Sequence, residues 1–321
     1  MKRTLIFALL LLVGSAAGAQ VTSDTSFTVY SAFVKAHKKQ PFISIVYPSL
    51  PRHIIADTGK IYCTFTGRSL HADVFYPPKL RHKTRPGILL IHGGGWRSGS
   101  RDQQVPMAQQ LAARGYVAIT VEYRLSPEAK YPAAVYDLKS AIRWTRLHAV
   151  DYGIDKDKIA ILGCSAGGQL AALLGTTNGV VTFEGDECNK SEESTVNAIV
   201  DIDGILAFTH PESGEGDESK GVSAAAYWLG ATRAENPQLW EDASALSHLN
   251  KNNPPILFIN SGVARMHAGR DDMIRRLDTF DVYHEVHVFA DAPHPFWLFE
   301  PWFTPTVKYV SDFLGSVFDH E

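Results

Sequence analysis

One serine of the chain stands in a motif that suits nucleophilic chemistry. Ser165 is the centre of the pattern G-x-S-x-G at residues 163–167, directly after the apolar run 159–162 and directly before a predicted helix that starts near Gly168. Glycines allow a sharp turn between strand and helix that exposes the serine hydroxyl, and the helix N-terminus favours developing negative charge. A plain glycine-rich turn is the alternative interpretation. The position directly after a buried strand favours Ser165 as a nucleophile.

A run of three glycines lies upstream and follows another apolar run. Residues 92–96, His-Gly-Gly-Gly-Trp, come directly after residues 88–91. Consecutive glycines leave backbone N–H groups unobstructed, so those of Gly94 and Gly95, with the N–H of Ala166, are predicted to bind the oxyanion of a tetrahedral intermediate. A glycine-rich turn or a phosphate cradle is the alternative. A dinucleotide-binding loop does not fit, because the glycine spacing differs from G-x-G-x-x-G.

A general base for the serine is expected from a loop beyond the last strand. The chain has 13 histidines, so most of them must have other roles. His294 follows the last predicted strand, residues 282–289, whereas His284 and His287 lie within that strand. The chain order serine, acid, histidine is the one expected when the serine lies on a strand-to-helix turn of this kind. His294 is therefore the predicted base.

The acid that would orient this histidine is less well defined. The acid usually follows the strand that precedes the histidine loop, which here is the apolar run 256–259. Residues 260–267, which follow that run, contain no carboxylate. Asp271 comes next, but a helix start explains it without catalysis. Asp201 and Asp203 lie at the end of an earlier apolar run, where a buried carboxylate is costly unless it is paired. We favour Asp203, with Asp271 as the alternative acid and a serine–histidine pair without an acid as a third arrangement.

Short apolar runs and helical patterns alternate along the chain, and this predicts an α/β fold. Continuous apolar runs are typical of strands buried on both faces of a parallel sheet, with helices covering both faces and ligands at the carboxyl ends of the strands. A predicted antiparallel hairpin, residues 62–75, precedes them. The predicted strands are 88–91, 117–121, 159–162, 198–202 and 256–259, and the predicted helices are 103–114, 132–148, 168–174 and 271–280.

The N-terminal segments and one insertion complete the predicted domain organisation. Residues 1–19 carry basic residues, a short apolar run and small residues, which predicts an export signal cleaved near Ala19/Gln20 and a periplasmic or secreted protein. No later stretch is apolar enough to insert into a membrane. Residues 20–55 are interpreted as an N-terminal extension and 56–321 as the main domain. Within it, 207–250 interrupts the alternation and is interpreted as a small inserted cap with helices at 224–229 and 238–249.

Composition and cysteine count exclude several classes of function. With 45% hydrophobic residues and a formal net charge of −3 among 321 residues, nothing indicates a nucleic-acid-binding surface. None of the three cysteines lies in a metal-ligand spacing, and neither a metal nor a cofactor is implied. An exported context permits a bridge between Cys63 and Cys188 without requiring it. Cys164 is expected to be a small buried residue.

Residues 60–315 resemble the α/β-hydrolase esterases of the hormone-sensitive-lipase and acetylesterase type. Residues 92–95 match that family's oxyanion motif, 163–168 its nucleophile elbow, and 123–127, Tyr-Arg-Leu-Ser-Pro, the segment after the next strand. The resemblance implies a cofactor-independent serine esterase that acts on a small-molecule or oligosaccharide ester. Residues 265–272 with 293–297 are similar to bacterial carbohydrate esterases, which implies removal of O-acetyl groups from cell-wall oligosaccharides such as pectin or xylan.

Several side chains near these motifs are candidates for substrate binding. Trp96 and Trp297 offer aromatic faces that suit a sugar or an acyl chain. The aromatic residues that follow Trp297 form either more of this surface or core beneath the last helix. Arg265 and His267 occupy the stretch without a carboxylate and suit contact with a uronate. A general short-chain carboxylesterase or lipase-like enzyme is the alternative function, and a serine exopeptidase of the same fold is a third.

Overall fold

The computed structural model describes residues 24, 26–65, 67–79, 83–186, 188–216, 219 and 221–318. The export signal predicted at 1–19, with its cleavage site near Ala19/Gln20, lies outside the described residues. Within these ranges, no helix combines the length and the apolar character needed to cross a membrane.

The strands and helices of the described chain alternate through most of its length. The strands are β1 (Ser44–Ile45), β2 (Ile55–Phe65), β3 (Arg68–Tyr76), β4 (Arg85–Ile91), β5 (Val117–Val121), β6 (Ile154–Cys164), β7 (Ala198–Ile202), β8 (Ile256–Ser261), β9 (His284–Phe289) and β10 (Phe299–Glu300). The helices are α1 (Val29–His37), α2 (Val105–Ala113), α3 (Ala133–Leu147), α4 (Ala149–Tyr152), α5 (Ala166–Thr176), α6 (Ala224–Leu229), α7 (Pro237–Asp242), α8 (Ala245–His248), α9 (Arg270–Phe280) and α10 (Phe303–Phe318).

One large sheet passes through the centre of the described chain. Its eight strands lie in the order β2-β3-β5-β4-β6-β7-β8-β9. The strands from β5 to β9 in this order pair in parallel, while β3 is antiparallel to β2 and to β5. This confirms the predicted α/β class, with a mostly parallel sheet and an antiparallel hairpin at one edge.

Helices cover both faces of this sheet because its central strands are apolar on both sides. One face of the sheet packs against side chains of α3 and α5, such as Leu138 and Leu170. The other face packs against side chains of α2 and α10, such as Leu111 and Phe313. Because β4, β6 and β7 pair in parallel, their carboxyl ends lie side by side at one edge of the sheet, where the chain continues into loops.

The N-terminal extension contains regular elements that its sequence did not predict. Helix α1 turns Ala32 and Ala36, one helical turn apart, toward the core, and β1 pairs antiparallel with β10. Phe33 of α1 packs edge-on against Phe299, with ring centroids 6.0 Å apart. These contacts were not predictable because both partners come from the opposite end of the chain.

The insertion between β7 and β8 contains the short helices α6, α7 and α8. Helix α6 has the predicted bounds, but the helix predicted at 238–249 is divided into α7 and α8 at Ser244. The reason is that the Ser244 hydroxyl donates to the Trp240 carbonyl and accepts the N–H of Phe208, so this residue turns toward the core. Trp228 and Trp240 are fully buried and anchor the insertion on the sheet.

A disulfide links the hairpin edge of the sheet to the chain that follows α5. Cys63 of β2 is bonded to Cys188, 125 residues away along the sequence. Cys164, at the end of β6, is a free and buried cysteine. Burial raises the pKa of its thiol, so Cys164 is held as a neutral, packed side chain beside Ser165.

Candidate active site

Ser165 occupies a strained turn between β6 and α5. Its backbone φ is +58°, a left-handed value that costs a non-glycine residue about 1–3 kcal/mol and persists only where surrounding structure enforces it. The Ser165 N–H donates to the carbonyl of Ile202 at 2.8 Å, and its own carbonyl accepts the N–H of Gln169 at 3.0 Å. Both bonds hold the hydroxyl at the carboxyl edge of the sheet.

The two glycines of the motif are required by the close packing of this turn. A Cβ on Gly163 would lie 1.8 Å from the carbonyl oxygen of Gly167. A Cβ on Gly167 would lie 2.3 Å from the carbonyl oxygen of Ile91, in the neighbouring strand β4. The turn can therefore approach the chain after β4 only with glycine at both positions, and this brings the glycine run of residues 92–96 to Ser165.

Ser165, His294 and Asp203 form a continuous hydrogen-bonded chain. The Oγ atom of Ser165 lies 2.8 Å from Nε2 of His294. Nδ1 of the same imidazole lies 2.9 Å from Oδ2 of Asp203. A neutral imidazole that donates from Nδ1 to the carboxylate presents Nε2 as the acceptor for the serine proton. The arrangement is that of a nucleophile, a general base and an orienting acid.

Asp203 is held in place by the backbone of β8. It is fully buried and has a φ of +53°, its N–H donates to the carbonyl of Ile259 at 3.0 Å, and its Oδ1 accepts the N–H of Ser261 at 2.7 Å. Asp271, the alternative acid, lies in the first turn of α9 and binds Arg270, with 66% of its side chain exposed. Among the described contacts, none joins Asp271 to His294. The structure thus places Asp203, and not Asp271, against the histidine.

The neighbouring carboxyl group, Asp201, has a different environment. It is fully buried, and its Oδ1 accepts the N–H of Gly204 at 2.9 Å. Burial, with a smaller effect of the charge on Asp203, raises the pKa of Asp201 well above its usual range. The two carboxyl groups therefore differ in role: Asp203 contacts the histidine, and Asp201 binds the backbone of the turn after β7.

The residues that carry the predicted oxyanion donors lie in the cleft that contains Ser165. Gly94 and Gly95 have φ values of +123° and +60°, and a Cβ on Gly94 would lie 2.1 Å from the carbonyl oxygen of Ser98. Gly94, Gly95 and Ala166 line the same cleft as Ser165. Within the described part of the chain, their N–H groups have no hydrogen-bond acceptor, so they are free to bind an anion at this point.

His92 organises the loop that carries these glycines. Its Nδ1 donates to the Gly93 carbonyl at 2.8 Å, and its ring stacks on Tyr123 with centroids 4.5 Å apart. The Tyr123 hydroxyl donates in turn to the His92 carbonyl at 3.1 Å. Burial lowers the pKa of His92 to about 4, so this imidazole is neutral near pH 7. The segment 123–127, singled out in the sequence, thus supports the oxyanion loop from behind.

A cleft of about 300 Å³ extends from Ser165, and Trp96 closes its floor. Only 4% of Trp96 is exposed; its indole stacks on Trp228 with centroids 5.0 Å apart, and its N–H donates to Oε1 of Gln169 at 2.9 Å. Trp297 lines the cleft as well and packs edge-on against the ring of His294 at 5.2 Å. Both predicted tryptophans therefore form walls of the site that are fixed by packing.

The remaining predicted contacts divide between cleft and core. Arg265 lines the cleft, whereas His267, the last residue of the 3-10 turn Ala264–His267, does not, because Arg265 and Met266 occupy the side of the turn that faces the cleft. The other aromatic residues near His294 are buried in the core beneath α10 and offer no surface to a ligand: Phe296, Phe299, Trp302 and Phe303.

The ion pairs on the cleft wall were not predicted. Oε1 of Glu215 lies 3.2 Å from Nη1 of Arg265, and Arg97 is paired with Asp24. The sequence carries no signal for these pairs because their members are far apart in the chain and within irregular segments. Among the described residues, no three His, Cys, Asp or Glu side chains are grouped so that they could hold a metal ion.

Comparison with known proteins places this site in a family. Residues 72–267 match the BD-FAE family. The chain belongs to the BD-FAE family. The BD-FAE match includes the glycine loop, Ser165 and Asp203, and it ends before His294. The predicted resemblance to α/β-hydrolase esterases is confirmed at the level of family and fold.

Several similar proteins with known names are esterases. Esterase LipC of Mycobacterium tuberculosis is 30% identical over 203 residues, which are 63% of this chain and 48% of LipC, so the chain spans about half the length of this curated relative. The propionate-bound esterase 2 of Thermogutta terrifontis is 26% identical, with a TM-score of 0.68 over 84% of this chain and 96% of that one. A truncated carbohydrate esterase from gut microbiota has a TM-score of 0.68 over 83% and 99%, at 24% identity. The BD-FAE chain therefore has the α/β-hydrolase fold.

Proposed function

We propose that this protein hydrolyses carboxylic esters through an acyl-enzyme formed on Ser165. The observation that carries the proposal is the hydrogen-bonded chain from Ser165 Oγ through His294 to Asp203, with distances of 2.8 and 2.9 Å. Three N–H groups at the same cleft complete the requirements for acyl transfer, namely a nucleophile, a base with its orienting acid, and an oxyanion site.

The reaction follows from the positions of these groups. His294 Nε2 takes the proton of the Ser165 hydroxyl as Oγ attacks the ester carbonyl carbon, and the N–H groups of Gly94, Gly95 and Ala166 hold the resulting oxyanion. His294 then gives the proton to the departing alcohol, which leaves an acyl group on Ser165. In the second half, His294 deprotonates a water that attacks the acyl group, and collapse of this intermediate releases the carboxylic acid and restores the serine.

The acyl group is proposed to be short, with acetyl as the best fit. The cleft measures about 300 Å³, at the small end of the range for ligand sites. Trp96 closes its floor and cannot withdraw easily, because it is bonded to Gln169 and stacked on Trp228. A long acyl chain would need the space that these rings fill.

The alcohol half is proposed to be a sugar of a cell-wall oligosaccharide such as xylan or pectin. The cleft also carries polar side chains, namely Ser26, Ser98, Arg97, Glu215 and Arg265. Hydroxyl groups of a sugar can both donate to and accept from these side chains.

Acetate release tests this proposal directly. The purified protein is incubated with acetylated xylan oligomers and with acetylated pectin oligomers, with Ser165→Ala as the blank and 4-nitrophenyl acetate as a reference ester. Serine-dependent acetate from either oligomer supports a carbohydrate O-acetyl esterase. Hydrolysis of the aryl ester alone would contradict the sugar assignment, and no hydrolysis of any ester would contradict the acyl-enzyme as well.

A general short-chain carboxylesterase is the second candidate. Structures of Thermogutta terrifontis esterase 2 with propionate and with butyrate bound are 26% and 25% identical to this chain. The observation in favour is that the cleft beside Ser165 also has apolar walls, from Phe27, Ile205 and Met266. A higher kcat/KM on 4-nitrophenyl butyrate than on the acetate, together with inactivity on acetylated oligomers, would favour this candidate.

Export to the periplasm or the medium is part of the proposal. It is supported by the predicted signal at residues 1–19 and by the Cys63–Cys188 disulfide, since such bonds persist in oxidising compartments. Expression of the chain in a bacterium, followed by N-terminal sequencing of the soluble protein, tests this. Gln20 as the first residue in a periplasmic or culture fraction is the expected result, and an intact Met1 in the cytosolic fraction would contradict it.

A further inference from the structure

Glu215 is a buried carboxylate in the wall of the catalytic cleft, and one of its oxygens has no partner. Only 7% of its side chain is exposed, and Oε1 accepts from Arg265 at 3.2 Å. Oε2 is buried, and among the described residues it has no hydrogen-bond partner. A buried oxygen of this kind destabilises the protein while it is unpaired, and more so when it is charged. It is therefore a position where a donor from a ligand would be strongly favoured.

Arg265 complements this carboxylate within the same cleft. Its side chain is 51% exposed and its guanidinium has five N–H donors, of which the bond to Glu215 uses one. Glu215 and Arg265 both line the cleft that contains Ser165 and His294, so an unpartnered buried acceptor lies next to the donors of Arg265. A pair of neighbouring hydroxyl groups has the matching chemistry, because one hydroxyl can donate while the next accepts.

We infer that Glu215 and Arg265 form a hydroxyl subsite that binds two adjacent hydroxyl groups of a neutral sugar ring next to the ester. In this arrangement one hydroxyl donates to Glu215 Oε2 and its neighbour accepts from the Arg265 guanidinium. Among the described residues the carboxylate is held through Oε1 alone, so binding requires it to turn Oε2 from its buried position toward the cleft. This inference rests on the proposed function and specifies its alcohol half.

The charges of the cleft favour a neutral sugar over a uronate. The charge of Arg265 is matched by Glu215, and that of Arg97 by Asp24, so both arginines of the cleft wall carry an acidic partner. A uronate carboxylate would compete with Glu215 for Arg265 and would leave a second buried negative charge nearby. The uronate contact suggested for Arg265 by the sequence is thus replaced by a contact with hydroxyls, and acetylated xylan fits better than acetylated pectin.

The test compares two substrates that share the acetyl group and differ in the alcohol. Values of kcat/KM are measured for acetylated xylan oligomers and for 4-nitrophenyl acetate, whose alcohol has no adjacent hydroxyls. The variants are Glu215→Gln, which keeps the shape of the side chain, and Arg265→Met. Glu212→Gln is the matched control, because Glu212 belongs to the same segment and has an exposed side chain that does not line the cleft.

The expected result is a change in selectivity. Each subsite variant lowers the ratio of kcat/KM for xylan oligomers over 4-nitrophenyl acetate about tenfold or more, through KM, while Glu212→Gln leaves the ratio unchanged. The wild-type protein prefers xylan to pectin oligomers, and Glu215→Gln reduces that preference. Thermal melting of each variant verifies its fold.

Two failures are distinguishable. If the wild-type protein releases acetate from sugars but the ratio stays the same in both subsite variants, or pectin oligomers are preferred, the subsite is refuted and the proposed function stands. If only the aryl ester is hydrolysed, the carbohydrate assignment and the subsite fail together.

Discussion

The backbone N–H of Ser261 donates to Oδ1 of Asp203 at 2.7 Å. Ser261 ends β8, the strand after which the sequence would lead one to expect the acid, and Asp203 follows the neighbouring strand β7. Because β7 and β8 pair in parallel, their carboxyl ends lie side by side, and an acid from either strand can reach the same histidine. Here β8 contributes a backbone donor that orients the acid of β7.

Replacing this acid should reduce turnover severely. In Asp203→Asn the amide cannot hold the required tautomer of His294, and we expect kcat on 4-nitrophenyl acetate to fall by roughly 10³–10⁴-fold. Asp271→Asn should remain within about twofold of wild type, since its side chain is exposed and, among the described residues, binds Arg270. Steady-state kinetics at constant pH checks both. A large loss in Asp271→Asn with an active Asp203→Asn would reverse the assignment.

The parts of the site with a local signature could be predicted from the sequence. Ser165 and the glycine loop could be predicted because close packing in their turns requires glycine at particular positions, which leaves a motif in the sequence. His294 could be predicted from its position after the last strand. The choice between Asp203 and Asp271 depends on the register of two strands, which has no local signature. Glu215 was not predicted at all, because only the folded insertion brings it to Arg265.

Removing the indole of Trp96 should lengthen the acyl chains that the protein accepts. In Trp96→Ala the floor of the cleft opens toward Trp228, and we expect the ratio of kcat/KM for hexanoate over acetate esters of 4-nitrophenol to rise at least tenfold. Loss of this buried side chain should also lower the free energy of unfolding by about 3–5 kcal/mol. Hydrolysis of the ester series, with a urea titration of each variant, measures both effects.

The matched control for this variant is another buried tryptophan. Trp144 of α3 packs against His148 and Tyr152, away from the cleft. Trp144→Ala should be destabilised by a comparable amount with no change in chain-length preference. An unchanged preference in Trp96→Ala would show that the acyl group does not bind over this ring.

Acid should weaken the fold through His92. Burial lowers its pKa to about 4, against about 6.5 for an unfolded histidine, so the unfolded state binds more protons between these values. The free energy of unfolding is therefore unaffected by this histidine above about pH 6.5 and falls as the pH drops toward 4. The loss reaches about 2–3 kcal/mol at pH 4.5. Urea unfolding at pH 7.5 and pH 4.5 should show this loss in the wild type and a smaller one in His92→Gln. Equal losses in the two proteins would exclude His92 as the source.

Opening the disulfide should cost stability with little effect on catalysis. The bond between Cys63 and Cys188 closes a loop of 125 residues, and removal of such a cross-link typically lowers the free energy of unfolding by about 2–5 kcal/mol. Cys63 lies in β2, at the edge of the sheet opposite β7, β8 and β9, so the distances among Ser165, His294 and Asp203 should persist. We expect Cys63→Ser/Cys188→Ser to melt at a lower temperature than wild type while keeping kcat within about twofold at 25 °C. Wild-type protein treated with a reductant should match the double variant, whereas a lower kcat at a temperature where the variant is fully folded would show that the hairpin edge is coupled to the site.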